Sequence, residues 1–326
     1  MARLLIIGGS GFFGKSILDS YKRGLLKEFG INSITILARN AEFLLHSTPY
    51  LLDDTVTLIN DDIGKCQELP FAEYIIHAAA STDVKNYISQ STIERRNILS
   101  GVLNFCNLAP KYLRESKILY VSSGAIYGYQ PADIMCLEED SKLGLIESLP
   151  PSKQDYAIAK RESEQAVIAL GKFGLNVSIA RCFAFVGKYL PRDQSFAIGN
   201  FIADGMAGRM IKVNSHNVVS RSYLYADDLV AWLMKIAMAG SPMCPIFNVG
   251  SDEEVSIQEL SIMVANQFSA EYYYPTIESQ VVDRYIPCIK KAKSIGCEVE
   301  NSLESAIYKT IYSLRGYDWS QKSKTL

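Results

Sequence analysis

The chain has little of what marks several classes of protein. Among its 326 residues only three are histidine, and its seven cysteines (66, 106, 136, 182, 244, 288 and 297) are scattered with no C-x-x-C pair. That scarcity argues against a zinc site or a disulfide scaffold and fits a reducing compartment; no metal is expected. Charge of one sign is also missing: 33 basic and 35 acidic residues leave a net of −2, with no acidic or basic block. Neither a nucleic-acid footprint nor a disordered tail is expected from such a balance. No apolar run approaches the ~20 residues of a membrane span. The apolar start "MARLLIIGGSGFF" breaks on glycines too early for a secretory leader. The expectation is a soluble, cytoplasmic globule, long enough for one large α/β unit or two domains.

What is present begins at residue 3. "RLLIIGGSGFFGKS" joins an unbroken apolar run, Leu4 to Ile7, to a glycine-rich turn. Apolar residues then recur at helical spacing, at Ile17, Leu18, Tyr21, Leu25 and Leu26. Strand, turn and helix in that order aim backbone N–H groups and the positive end of the helix dipole at a pyrophosphate. The glycines fit two registers, G-x-G-x-x-G on Gly9, Gly11 and Gly14, or G-x-x-G-x-x-G on Gly8, Gly11 and Gly14.

Further strands are expected at "NSITILAR" (32–39), "VTLIN" (56–60), "AEYIIHAAA" (72–80), "KILYVSS" (117–123), "NVSIARCFAFVG" (176–187) and "IFNVGS" (246–251). Helical stretches separate them, notably around 88–112 and 152–170. Alternating strands and helices imply right-handed crossovers and a parallel sheet. After Gly187 the rhythm changes: "SFAIGNFIADGMAG" reads as a helix, "MIKVNS" as a short strand, and "RSYLYADDLVAWLMKIAMAG" as a strand end running into a helix. The fold class is α/β, a Rossmann-type doubly wound parallel sheet with a smaller mixed α/β substrate-binding cap. The dinucleotide-binding domain takes residues 1–187 and is completed by about 221–250. Residues 188–220 and 251–326 form the cap, with the cleft between the two at the carboxyl ends of the strands.

Two features carry chemistry. Tyr156 and Lys160 form Y-x-x-x-K, one turn apart on one helical face. A phenol titrates near about 10, and a neighbouring ammonium favours the phenolate, which makes a usable acid or base near neutral pH. With 19 tyrosines in the chain, about one such pair arises by chance, so the spacing alone is weak. The second feature is "YVSSGAIYG" (120–128), a strand ending on Ser122 and Ser123 at the same sheet edge as the glycine loop. One of these hydroxyls is placed to bond the oxygen that Tyr156 protonates, and Tyr127 is the competing phenol.

Taken in order, these segments resemble the extended short-chain dehydrogenase/reductases, specifically the nucleotide-sugar epimerase, dehydratase and reductase group, over nearly the whole chain. The resemblance selects the Gly8/Gly11/Gly14 register of "GGSGFFG" and implies cofactor contacts at Gly8, Ser10, Gly11, Phe12, Phe13 and Gly14. "DDI" (61–63) is similar to the group's adenine-contacting Asp-Ile, here Asp62 and Ile63. "IIHAAA" resembles its H-x-A-A strand end, which puts Ala78 and Ala79 beside the cofactor. "RNILSGVLNF" resembles the N-V-x-G-T helix and implies a structural role for Asn97 near the active site. "RSYLYADDLV" resembles the segment whose arginine contacts the sugar-nucleotide diphosphate, here Arg221. "GNFI" implies Asn200 near the nucleotide, and Thr82 falls on the substrate side. Ser123, Tyr156 and Lys160 inherit the catalytic positions, Tyr156 and Lys160 also touching the cofactor. Lys160 would hold the ribose and lower the Tyr156 pKa. A homodimer through the two long helices is also implied.

Departures from the group's pattern narrow the reaction. The 4,6-dehydratases carry Thr-Asp-Glu where this chain has Ser123-Gly124-Ala125, so both carboxylates used for water loss are missing. The decarboxylases carry a glutamate at the Ala125 position, and GDP-fucose synthase a cysteine. Ala184 stands where the group often has the asparagine of R-x-F-N, which removes a substrate-side amide. What the resemblance implies is a nucleotide-sugar 4-ketoreductase acting on an NDP-4-keto-6-deoxyhexose in surface-polysaccharide or deoxysugar biosynthesis. The alternatives are an NAD-dependent 4-epimerase and a non-catalytic dinucleotide sensor, a kind of member that typically loses the tyrosine or the lysine. NADP(H) is preferred over NAD(H), because "TILARN" ends the second strand on Ala38 and Arg39 where an acidic residue would repel a 2′-phosphate.

Overall fold

The computed structural model describes residues 2–80, 84–192 and 196–316. Its strands are β1 (Ala2–Ile7), β2 (Ile31–Ala38), β3 (Val56–Asn60), β4 (Tyr74–His77), β5 (Lys117–Ser123), β6 (Asn176–Cys182), β7 (Phe185–Val186), β8 (Ile211–Lys212), β9 (Asn217–Arg221), β10 (Leu224–Tyr225), β11 (Ile246–Val249), β12 (Val255–Ser256), β13 (Tyr272–Tyr273) and β14 (Ser279–Tyr285). The helices are α1 (Phe12–Lys22), α2 (Phe43–Ser47), α3 (Val84–Tyr112), α4 (Pro151–Lys172), α5 (Ala197–Met206), α6 (Ala226–Met238), α7 (Ile257–Phe268), α8 (Lys290–Lys293) and α9 (Leu303–Leu314).

Seven strands form one sheet in the order β11-β6-β5-β4-β1-β2-β3, and every neighbouring pair is parallel. The apolar run in β1 shows why. Leu4 and Ile6 enter the core that holds Ile17, Leu18 and Trp232 of α1 and α6. Leu5 and Ile7 enter the opposite core, with Phe105 and Val167 of α3 and α4. Helices cover both faces, so every residue of the strand is buried, and each such side chain contributes about 1.5–3 kcal/mol. The chain steps outward from β1 through β2 to β3, then returns to β4 on the other side of β1. The crevice at the carboxyl ends of β1 and β4 is therefore the switch point of this Rossmann-type sheet.

A third core gathers residues of α5, α7 and α9 with Val186, Leu190 and Tyr223. Beside it, β9 pairs antiparallel with β12 and parallel with β14, which sets Tyr285 opposite Arg221. Three expected elements differ in extent. "AEYIIHAAA" yields a strand only over Tyr74–His77. The stretch 176–187 divides into β6 and the separate β7, which pairs with β10. Helix α3 begins at Val84 and is broken at Gln90 (φ −148, ψ 41). Among the described residues, no helix is long and apolar enough to cross a membrane, and no cluster of three or more His, Cys, Asp or Glu could hold a metal.

Candidate active site

The glycine turn is shaped by what surrounds it. Gly8 has φ +86, and a Cβ there would lie 2.4 Å from the Ala79 Cα. A Cβ on Gly14 would fall 1.9 Å from the Gly9 carbonyl oxygen, so the first turn of α1 rests directly on the loop. Gly9 is also crowded, its missing Cβ 2.7 Å from Ile36 Cδ1. At Gly11 a Cβ would meet nothing within 4 Å. Gly11 is also the N-cap of α1, with no side chain capping the helix. Open space in front of uncapped backbone N–H groups fits a pyrophosphate, and a methyl group there would intrude on it. Ser10 lies in the turn, while the Phe12 and Phe13 rings pack on Phe185 with centroids 6.1 and 5.7 Å away. The two phenylalanines thus offer the crevice their backbone N–H groups.

Across the switch point, Ala78 donates its N–H to Ile7 O at 2.8 Å, which holds Ala78 and Ala79 against the turn. Asp62 accepts the Gly64 N–H at 2.9 Å. Asn104 donates to the carbonyls of Ile63 and Cys66 at 2.8 and 2.9 Å, fixing the Asp62-Ile63 segment at the end of β3. Arg39 is exposed, immediately beyond β2.

Ser123 closes β5, and its hydroxyl accepts the Ala125 N–H at 3.2 Å. Tyr156 and Lys160 project from α4 towards it. Tyr156 is half-buried; burial pushes its phenol up to about 12, and the Ser123 hydroxyl, a hydrogen-bond partner, acts in the opposite direction. The Tyr87 ring meets it edge-on with centroids 5.6 Å apart. Lys160 is fully buried and donates to Val121 O at 2.8 Å and to the Tyr120 hydroxyl at 3.3 Å. Burial pulls its ammonium down to about 8. The expectation that Lys160 lowers the Tyr156 pKa therefore needs correcting. Its Nζ lies 5.8 Å from the Tyr156 ring centroid and bonds to β5, and dehydration of the phenol dominates.

The competing hydroxyls are committed elsewhere. Ser122 donates to Glu164 at 2.5 Å, and Glu164 also holds Arg181 at 2.8 Å in a buried pair. Arg181 donates to the Tyr127 hydroxyl at 2.9 Å, which in turn donates to Asn248 Oδ1 at 2.8 Å. Tyr127 is therefore a strut among β5, β6 and β11. His77 sits between the rings of Phe105 and Tyr120, and burial lowers its imidazole to about 3.

The substrate side is partly assembled. Arg221 donates to the Asp283 carbonyl at 2.6 Å and its carboxylate at 2.9 Å, with its guanidinium 6.0 Å from the Tyr285 ring centroid. Asn200 lies half-buried on α5. Asn97 is exposed on α3, and Asn104, two turns on, does the structural work expected of it. Thr82 lies outside the described residues. The site also contains a residue that motif reading missed. Tyr285 brings its hydroxyl to within 2.5 Å of where a Cβ on Gly124 would stand, and Phe183 closes the same space at 2.8 Å. Nothing in "VVDRYIPC" announces it; only the register of β14 on β9 places it there.

With a dinucleotide turn, a Ser-Tyr-Lys constellation and a Rossmann sheet in place, comparison with known proteins is informative. The model of the NAD dependent epimerase/dehydratase family matches residues 4–250. The chain belongs to that family. It is an NAD(P)-dependent enzyme of the extended short-chain dehydrogenase/reductase type, as the motifs implied. UDP-glucuronic acid decarboxylase 1 of Danio rerio is 26% identical over 318 residues, 95% of this chain and 72% of that protein. GDP-6-deoxy-D-mannose reductase of Pseudomonas aeruginosa is 26% identical over 272 residues, 81% of this chain and 79% of that one. The solved dTDP-glucose 4,6-dehydratase of Streptomyces venezuelae, with NAD and TYD bound, matches with a TM-score of 0.78 at 20% identity, covering 96% of this chain and 97% of its own. That last likeness speaks for the fold.

Proposed function

We propose that this family member is a nucleotide-sugar 4-ketoreductase that reduces an NDP-4-keto-6-deoxyhexose in deoxysugar or surface-polysaccharide biosynthesis. One observation carries the reading. Ser123, Tyr156 and Lys160 stand together, while Gly124 is closed by Tyr285 and Phe183 and Ala125 offers only a methyl group. No carboxylate at these two positions serves an elimination or a decarboxylation, so interconversion of a carbonyl and an alcohol has the full set of groups. The similarity to a GDP-6-deoxy-D-mannose reductase agrees with this choice.

The nicotinamide supplies the hydride when bound. The Ser123 hydroxyl orients the substrate oxygen, and Tyr156 gives it a proton as negative charge develops, a step worth roughly 10²–10⁴ in rate. Lys160 reaches the ribose hydroxyls and keeps its charge under the Tyr156 ring. Arg221 exchanges its hold on Asp283 for the diphosphate, with Asn200 and Thr82 nearby. The cofactor is NADP(H) by preference, with exposed Arg39 meeting the 2′-phosphate. Arg39→Ala should lower kcat/KM for NADPH about tenfold and leave NADH unaffected. Equal use of the two cofactors, unchanged by Arg39→Ala, would remove that assignment. A homodimer through α3 and α4 belongs to the same reading, and sedimentation of the purified protein tests it.

The deciding experiment offers a panel of 4-keto-6-deoxyhexose nucleotides with NADH and NADPH. Stoichiometric oxidation of the cofactor with formation of the alcohol supports the reductase. Isomerisation of a 4-hydroxy sugar without net consumption would replace it with the epimerase. Neither outcome would point to a sensor. Incubation with dTDP-, CDP-, GDP- and UDP-hexoses should give no 4-keto-6-deoxy product.

A further inference from the structure

Tyr285 is a second phenol at the reacting centre, delivered by a segment that carries none of the motifs. Its ring packs on Phe183 with centroids 4.5 Å apart, and its hydroxyl overhangs Gly124. The neighbouring Ser123 is a hydrogen-bond partner of both Tyr285 and Tyr156. Burial pushes the Tyr285 phenol up, so it stays protonated throughout the working range.

Counting protons decides how three hydroxyls share one point. A serine hydroxyl has one proton and two lone pairs. One lone pair takes the Ala125 N–H at 3.2 Å. One proton and one lone pair then remain for two phenols, so Ser123 donates to one and accepts from the other. Tyr156 must keep its own proton for the substrate oxygen and therefore accepts from Ser123. Tyr285 is left to donate.

We propose that Tyr285 is a positioning residue that fixes the direction of a hydrogen-bond chain, from Tyr285 through Ser123 to Tyr156, so that the Tyr156 proton points at the substrate oxygen. The identity of that oxygen rests on the ketoreductase reading; the chain itself rests on the geometry. No proton leaves Tyr285. In reduction, hydride from the reduced nicotinamide adds to the carbonyl carbon, the Tyr156 O–H bond breaks and an O–H bond forms on the sugar. The Tyr156 phenolate then accepts from Ser123, whose donation is strengthened by the bond it receives from Tyr285, until solvent returns a proton. The titratable groups around Tyr156 are Tyr87, Tyr120, Lys160, Cys182 and Tyr285. Tyr285→Phe changes only the last of these and leaves the ring on Phe183.

Two measurements test the chain. In the Raman spectrum of the protein without cofactor, the intensity ratio of the tyrosine Fermi doublet separates donating from accepting phenols. Subtracting the Tyr156→Phe spectrum isolates the Tyr156 contribution. It should move towards the donating pattern in Tyr285→Phe, because Ser123 is then free to accept from Tyr156, and no such move should occur in the Ser123→Ala background. An unchanged ratio overturns the proposal. In turnover, Tyr285→Phe should lower kcat about tenfold with little change in KM, and move the alkaline limb of the rate profile about one pH unit higher. A lower limb, meaning that Tyr285 only competes for the Ser123 proton, or a fall in kcat with no shift, also overturns it. If no keto sugar is reduced, the ketoreductase reading fails while the Raman measurement still decides the chain.

Discussion

Two phenols stand near the end of β5, and their partners give them different work. The Tyr127 hydroxyl is held by Arg181 at 2.9 Å and Asn248 at 2.8 Å, deep in the protein. Tyr156 faces Ser123 from a half-buried position. Tyr127→Phe should therefore lower unfolding stability in urea by about 1–3 kcal/mol, the cost of leaving buried partners unsatisfied, with kcat near normal. Tyr156→Phe should do the reverse, keeping stability while kcat falls roughly 10²–10⁴-fold. A Tyr127→Phe enzyme that lost turnover while Tyr156→Phe kept it would overturn the assignment. The sequence showed Tyr156 through its spacing to Lys160, a local relation that a helix preserves. It left Ser122 and Ser123 equivalent, because neighbours on a strand face opposite sides and only the packing of Glu164 shows which is occupied. Tyr285 was invisible for the opposite reason: strand register far along the chain brings it to Ser123.

At the scale of elements, the turn between β1 and α1 separates fold from function. Gly8→Ala forces a methyl group against Ala79 at 2.4 Å in a backbone with φ +86. It should cost about 1–3 kcal/mol from the backbone alone, and more from the clash, in denaturant titrations. Gly11→Ala enters open space. It should leave stability near normal and weaken NADPH binding in a fluorescence titration. Equal stability losses in the two variants would remove this division. Strand β4 adds a pH dependence. The folded His77 titrates near 3 through burial, against about 6.5 unfolded. Between those values the unfolded chain binds the extra proton, so stability is full above about pH 6.5 and is lost as pH falls towards 3. The slope is at most about 1.4 kcal/mol per pH unit from this group, and His77→Leu should flatten it in urea midpoints measured across that window. The same strand shows why element boundaries were harder to read than elements. Apolar residues continue to Ala80, but β1 turns away at Gly8 and the ladder on that side ends with it. Hydrophobicity reports burial, whereas pairing depends on where the neighbour stops.

At the scale of the molecule, one buried brace ties the sheet to the catalytic helix. Glu164 of α4 bonds Arg181 of β6 and Ser122 of β5, and Arg181 reaches Tyr127 and the Glu139 carbonyl. Glu164→Gln leaves a buried guanidinium without its anion, which should cost about 3–5 kcal/mol in equilibrium unfolding. A loss below about 1 kcal/mol would mean that solvent reaches the pair. The doubly wound plan was legible because each strand–helix unit buries a continuous apolar run, whereas the cap's short strands take their places from long-range pairing.

The strand order also has a consequence for how the protein is made. Strand β11, which pairs with β6 along one edge of the sheet, is translated only after the long excursion through α5, β9 and α6. A nascent chain that pauses on the ribosome before residue 246 holds β6 without that partner, its unpaired amides and carbonyls framed by Val177 and Ile179. Such an edge recruits other strands. The emerging polypeptide thus needs either rapid completion or a chaperone over this interval, and Tyr285 joins Ser123 only after the interval has closed.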